Sequence, residues 1–253
     1  MTYQKSTFDR DDVIDQYNGD LIDRWDALIN WSQREAGEKT FFIDQLHAFG
    51  AHSVLDAAAG TGYHAIRLSQ AGFDLTAVDI CPDMIARTVA NATAHGVTLS
   101  AKVGNWLDLD DNLAPFDAIV CLGSSFPHLL DPRDREKALA NFHSLLRPGG
   151  CLILDHRNFD AIRAGRYANT AGLYYAGNSV RVTPTLIGDT CQFQYDFPDG
   201  AQHHLRVAAV PCDTMRAELA QAGFQNISTF GDFRADFALN EVGFIIHVAQ
   251  RVL

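Results

Sequence analysis

HSVLDAAAGTG, residues 52–62, followed by FDLTAVD, residues 73–79, decides the fold. Ser53–Leu55 is a short apolar strand that runs into a glycine bend at Gly60-Thr61-Gly62. Glycine at such a bend lets the backbone turn tightly at a strand end and approach a ligand with no Cβ in the way. Residues 63–71 then read as a helix whose first N–H groups are free to face a ligand. The second strand closes on Asp79, 23 residues after Asp56. A carboxylate at that strand end can accept both hydroxyl hydrogens of a ribose, although a strand-terminal Asp can equally be a plain cap.

The same rhythm continues outward. Residues 82–95 form a helix, with Pro82 in its first turn and Gly96 at its stop. TLSAKVGN (98–105) is a third strand and FDAIVCLGSS (116–125) a fourth. Residues 133–147 form an amphipathic helix closed by Arg147-Pro148-Gly149-Gly150, and CLILDHRN (151–158) is a fifth strand. Strand–helix alternation of this kind predicts an open, mostly parallel sheet with helices on both faces. Upstream, residues 11–48 read as helical, with Ile22, Trp25, Leu28 and Ile29 on one face. After residue 158 the pattern changes to β-like pieces between Gly, Asn and Asp-Gly turns, from GLYYAG (172–177) to HHLRVAAV (203–210). They predict an antiparallel extension. A helix over 213–222 and strands near 225–231 and 242–250 end the chain.

Composition narrows the partners. The 253 residues carry 31 acidic and 20 basic side chains, a net charge of −11. With no Lys/Arg run, such a chain is repelled by nucleic-acid phosphates and anionic lipid. Five cysteines stand singly with no CxxC, which reads as buried thiols in a reducing compartment. MTYQKSTFDR at the start lacks the apolar core of a signal peptide, and no run approaches the ~20 apolar residues of a membrane span. The expected location is cytoplasmic. His203-His204 has no third ligand at matching spacing, so no metal is expected.

Asn105-Trp106, just past the third strand, adds a base-recognition element: an amide suits the adenine edge and an indole can stack on the ring, although Trp106 also suits plain core. The remaining choice is between nucleotides. A dinucleotide turn reads GxGxxG, with alanine tolerated third, and Ala65 leaves that reading open. The acid four residues before Gly60 tilts the balance. Asp56-x-x-x-Gly60-x-Gly62 resembles the first motif of class I S-adenosylmethionine-dependent methyltransferases, as does Arg147-Pro148-Gly149-Gly150 before the fifth strand.

A longer series narrows the resemblance: Asp15-Gln16-Tyr17, Trp25 to Arg34, Asn105-Trp106-Leu107, Cys121 to Leu129, Asp155-His156-Arg157-Asn158, Tyr174-Tyr175 and Gly231-Asp232-Phe233. In this order it is similar to the glycine N-methyltransferases and the bacterial glycine–sarcosine N-methyltransferases, over about residues 15 to 250. The resemblance implies a Rossmann-like fold with a seven-stranded sheet. It implies an N-terminal helical lid over 1–48, a cofactor-binding core over 49–158, an antiparallel substrate-side insertion over 159–212 and the end of the sheet over 213–253. It implies N-methylation of a small amino acid of the glycine, sarcosine or dimethylglycine type, towards betaine, with S-adenosylmethionine converted to S-adenosylhomocysteine.

The resemblance also assigns roles. Arg34 pairs with the methionine carboxylate, Asp79 holds the ribose, and Asn105 and Trp106 hold the adenine. Ala58 and Leu122 contribute backbone groups with His128 nearby, and Tyr17 lies over the methyl group. Trp25, Asp56, Gly60, Gly62, Ile80, Met84 and Leu107 complete the implied cofactor site. Arg157 takes the substrate carboxylate, beside Gly123, Ser124, Tyr17 and Tyr175. A guanidinium at a strand end suits a carboxylate on its own geometry, against an ion pair with Asp155 or Asp160 as the alternative. His128 titrates in a useful range and is a candidate to take the amine proton; otherwise water takes it and His128 is a cofactor contact. Two departures stand out: Ser124 replaces the family's Asn, and Ala208-Ala209-Val210 replaces a stretch carrying Tyr. Both leave room for a bulkier or N-methylated acceptor. Alternative readings are a methyltransferase of an amino sugar or other metabolite amine, an NAD-type oxidoreductase, and a non-catalytic nucleoside-binding protein. Self-association is left open.

Overall fold

The computed structural model describes residues 10–17, 20–109, 113, 115–167 and 180–252. Its centre is a seven-stranded sheet in the order β3-β2-β1-β4-β5-β10-β9. β1 (Ser53–Asp56), β2 (Asp74–Asp79), β3 (Ser100–Val103), β4 (Phe116–Cys121) and β5 (Leu146–Arg157) run parallel, and β10 (Phe244–Gln250) is antiparallel between β5 and β9 (Gln225–Gly231). The chain moves outward from β1 to β3, then returns to β4 on the other side of β1. That reversal leaves a crevice above the carboxyl ends of β1 and β4, where open α/β sheets bind ligands.

The strands read as nearly continuous apolar runs because both faces are covered. On β4, Ala118 and Val120 pack with Phe42, Leu46, Ala65 and Leu68 from α4 (Phe41–Ala48) and α5 (Tyr63–Gln70). Ile119 and Cys121 pack the other way, with Phe142 of α7 (Pro132–Leu145) and Met215 and Leu219 of α9 (Cys212–Gln221). A second sheet, β6 (Arg181–Ile187), β7 (Thr190–Asp196) and β8 (Gln202–Ala208), is antiparallel throughout. Its inner residues Phe193, Tyr195, Leu205 and Val207 share a cluster with Leu21, Trp25 and Leu28 of α2 (Leu21–Ile29). All five cysteines are free and buried. Among the described residues no helix is long and apolar enough to cross a membrane.

Two local readings change. The helical stretch expected over 11–48 is four helices: α1 (Arg10–Gln16), α2, α3 (Trp31–Glu38) and α4. Asn30 breaks it at φ 43°, a left-handed conformation that Asn tolerates, and its Oδ1 accepts the Gln33 N–H at 3.3 Å to cap α3. Arg147-Pro148-Gly149-Gly150 does not close α7 as expected but lies within β5. A Cβ on Gly150 would lie 2.7 Å from the Asp117 carbonyl, so the strands approach too closely there for a side chain.

The glycine bend is tightly built. Gly62 sits at φ +95°, and a Cβ there would meet Thr88 Cγ2 at 3.1 Å on α6 (Pro82–Ala94). Gly72 has a similar φ of +98° with nothing within 4 Å. Gly62→Ala is expected to cost about 2 kcal/mol or more in urea unfolding, and Gly72→Ala only the backbone share, about 1 kcal/mol. Equal costs would show that the Thr88 contact carries no weight.

Candidate active site

The crevice opens into a cavity of about 900 Å³ that runs from the Tyr17 and Trp25 side chains, past the glycine bend, to Asn105 and Trp106. Its size is that of a nucleoside-sized ligand site. Asp79 organises the bend. Its Oδ2 accepts the Gly60 N–H at 2.8 Å and its Oδ1 the Cys81 N–H at 2.9 Å. Burial raises the Asp79 pKa, and these amides act against the rise. From α6, Thr88 Oγ1 donates to the Gly60 carbonyl at 2.8 Å and Asn91 Nδ2 to the Thr61 carbonyl at 2.9 Å. The Thr61 hydroxyl is buried in the cavity wall with no hydrogen-bond partner among the described residues.

At the far end, Asn105 Oδ1 accepts the Leu107 N–H at 3.0 Å and caps the turn Trp106–Asp108. The Trp106 indole donates to the Ala57 carbonyl at 2.6 Å and stacks on Phe126, with centroids 5.9 Å apart. Trp106 is therefore both core and cavity wall. Opposite, Arg34 is buried in a charged cluster. Its Nε donates to Glu38 Oε1 at 2.5 Å, its guanidinium lies 4.9 Å from the Tyr63 ring centre, and His64 Nε2 is 3.1 Å from Glu38 Oε1. Burial works against the Glu38 carboxylate, but His64 and Arg34 hold it down to about 2. Burial holds His64 down to about 4, against the pull of the Glu38 carboxylate.

Tyr17, Trp25, Gly123 and His128 wall both this cavity and a side chamber of about 310 Å³. Tyr17 Oη is 2.8 Å from His128 Nε2, and the Tyr17 and Trp25 rings meet edge-on at 5.2 Å. Burial holds His128 down to about 4. Arg157 lines the chamber. Its guanidinium carbon lies 4.6 Å from the Phe193 ring centre and 5.2 Å from that of Phe244, and Nη1 donates to Tyr167 Oη at 2.5 Å. The acids proposed as ion-pair partners hold backbone amides: Asp155 accepts Ser124 N–H at 2.6 Å and Asp160 accepts Cys212 N–H at 2.9 Å.

The comparisons meet this geometry. Residues 54–150 match the methyltransferase domain family model. The chain is 40% identical to the glycine/sarcosine N-methyltransferase of Aphanothece halophytica, over 96% of this chain and 92% of that protein. It is 41% identical to the glycine/sarcosine/dimethylglycine N-methyltransferase of Actinopolyspora halophila, over 96% of this chain but only 44% of that longer protein. The chain belongs to the glycine/sarcosine N-methyltransferase family. Its fold matches that of an S-adenosylmethionine-dependent methyltransferase from Clostridium acetobutylicum ATCC 824, with a TM-score of 0.72 at 17% identity over 96% of this chain and 99% of that one. This family member is an S-adenosylmethionine-dependent N-methyltransferase, and the cavity's side-chain groups fit that cofactor: a carboxylate, an amide, an indole, a guanidinium and an unsatisfied hydroxyl.

Not every residue expected in the family site reaches the cavity. Tyr17, Trp25, Arg34, Ala58, Gly60, Asp79, Ile80, Met84, Asn105, Trp106, Leu122 and His128 line it. Asp56, Gly62 and Leu107 do not line it. Asp56 lies under the bend with Oδ1 accepting the Ala58 N–H at 3.2 Å, and burial pushes its pKa up to about 7. Gly62 caps α5, and Leu107 packs in the core. Gly123, Ser124 and Arg157 line the chamber, while Tyr175, with Tyr174, lies outside the described residues. Residues not anticipated are Glu38, His64, Thr88, Tyr167 and Tyr195. Of these only Glu38 has a local signal, four residues from Arg34.

Removing Glu38 leaves the buried Arg34 guanidinium without its carboxylate. Glu38→Gln is expected to destabilise the protein by about 3–5 kcal/mol, read as a lower unfolding midpoint in guanidinium. A loss under 1 kcal/mol would mean that the cluster carries little weight.

Proposed function

We propose that this enzyme methylates the amine of a small amino acid of the glycine, sarcosine or dimethylglycine type. The observation that carries this reading is a buried, aromatic-braced guanidinium, Arg157, in a chamber that shares a wall with the cofactor cavity. Bound S-adenosylmethionine supplies an activated sulfonium methyl, released to the acceptor with S-adenosylhomocysteine as the other product. In this proposal Asp79 holds the ribose, Asn105 and Trp106 the adenine, and Arg34 the methionine carboxylate. Ala58 and Leu122 offer backbone groups, and Trp25, Ile80 and Met84 pack against apolar parts of the cofactor.

Arg157 grips the acceptor's carboxylate with its planar fork, which leaves the amine to face the shared wall. Phe193 and Phe244 near the guanidinium limit its tilt. The chain supplies mainly alignment, an effect worth up to ~7–11 kcal/mol in intramolecular models. In this reading neutral His128 accepts the Tyr17 O–H at Nε2 over 2.8 Å, which leaves the Tyr17 oxygen lone pairs for the reacting amine and its growing positive charge. A histidine held near 4 is too weak a base to keep a proton from an ammonium group. The amine therefore enters neutral, with its proton lost to water, and His128 orients Tyr17.

Two tests follow from these roles. Arg157→Ala should lower kcat/KM for amino-acid acceptors about a hundredfold or more while S-adenosylhomocysteine binding by calorimetry changes little. Undiminished methylation of glycine, sarcosine and dimethylglycine would reject the carboxylate anchor. The pH profile checks the proton route. His128 is already neutral above about 4, so kcat/KM should rise with pH as the free amine fraction grows, with no inflection between pH 5.5 and 7.5 that His128→Asn removes. An inflection near 6.5 that His128→Asn removes would make His128 the proton acceptor.

A further inference from the structure

We propose that the acceptor chamber selects amino acids whose nitrogen already carries methyl groups, so that sarcosine and dimethylglycine are used in preference to glycine. The proposal rests on the carboxylate-anchor reading above and concerns the opposite end of the same chamber.

That end is apolar. β7 and β8 alternate, with Phe193 opposite Leu205 and Cys191 opposite Val207 in register. Leu205 and Val207 are buried and line the chamber. Between them, the Arg206 N–H donates to Gln16 Oε1 at 2.6 Å, and Gln16 directly precedes Tyr17. β8 also packs on the turn Phe126–His128. Leu205 and Val207 are thereby tied to the Tyr17–His128 end, where the acceptor nitrogen must sit if Arg157 holds its carboxylate.

The polar group that might have served the amine is committed elsewhere. Ser124 sits at φ +58°, its N–H donates to Asp155 at 2.6 Å, and its Oγ accepts the Arg157 N–H at 3.1 Å. The hydroxyl thus braces the strand end that carries Arg157. Among the described residues at that end, Tyr17 Oη is the side-chain acceptor left; with its O–H turned to His128 it can take one N–H of the amine.

The consequence follows from counting N–H groups. A neutral glycine amine has two, sarcosine has one and dimethylglycine none. Each N–H turned toward Leu205 or Val207 gives up water and gains no acceptor. Each N-methyl in its place gains by burial against the same side chains. The wall therefore penalises glycine and rewards the methylated acceptors.

The test is initial-rate kinetics of the purified full chain with glycine, sarcosine and dimethylglycine, read as S-adenosylhomocysteine formed. Wild-type kcat/KM is expected to be at least tenfold higher for sarcosine and for dimethylglycine than for glycine. Val207→Thr and Leu205→Asn each put a hydrogen-bonding group in the wall. Each should shrink the sarcosine-to-glycine ratio at least threefold, mainly through KM, with S-adenosylhomocysteine binding retained as the mark of a folded protein. Glycine used as well as or better than both methylated acceptors overturns the proposal and leaves the amino-acid function intact. No turnover of any of the three rejects that function and this proposal with it. A wild-type preference that neither folded variant moves shows that the wall is not its source. If the variants do not fold, the wild-type ratio alone decides the preference.

Discussion

The site depends on one buried carboxylate bonded to two backbone amides. Asp79 joins the end of β2 to the glycine bend after β1 through Gly60, and to the start of α6 through Cys81. Two strand ends and a helix start are thereby fixed by one side chain. An isolated buried charge is costly, and backbone N–H groups are what make it tolerable. Thr88 and Asn91 then hold the bend from the side by its carbonyls. A bend gripped at both its N–H and C=O groups has little freedom left, so the cavity beside it keeps its shape without a ligand.

A second constraint gathers four tasks into four consecutive residues. Asp155 holds the turn at Ser124. His156 donates to or accepts from its neighbours on both sides, with Nδ1 2.8 Å from the Arg157 carbonyl and Nε2 3.1 Å from His247 on β10. Arg157 enters the chamber. Asn158 caps α8 (Phe159–Arg163) through Oδ1 and donates to the Leu239 and Val242 carbonyls. The residues on either side of Arg157 each bond neighbouring backbone or side chains through at least one polar atom. A long flexible side chain is useful for recognition only when its root is fixed, and this run fixes it.

The sequence made the parallel sheet legible because strands covered on both faces leave apolar runs with glycine or acid at their ends. Asp79, Asn105 and Trp106 were readable for the same reason, since each ends or follows such a run. Asp56 also ends a strand but turns beneath the bend, and a strand-terminal acid looks alike in sequence whichever way it faces. Asn30 was hidden because one residue in a left-handed conformation breaks a helix without disturbing its apolar period. Glu38 resembles an ordinary surface partner of Arg34, and only packing shows it to be buried. Tyr195 and Leu205 reach the chamber through antiparallel register, which pairs residues far apart in the chain and leaves no local mark.

The two halves of the site are built by different means. The cofactor cavity is formed largely by backbone at strand ends, held by Asp79, Thr88 and Asn91. The side chamber takes much of its wall from alternating side chains on β7 and β8, which pair with each other along their length. Exchanging a side chain on the inner face of that sheet changes the chamber's lining without breaking a ladder hydrogen bond. Exchanging a residue at the glycine bend changes backbone geometry and reaches the whole cavity. The side chamber's lining is therefore set where substitution is cheapest, and the cavity's geometry where it is most expensive. The contact between the two is narrow. Tyr17 and His128, joined at 2.8 Å, stand in both walls. Among the described residues, a change in the side chamber's wall meets the cavity through that pair, through Trp25 or through the turn at Gly123.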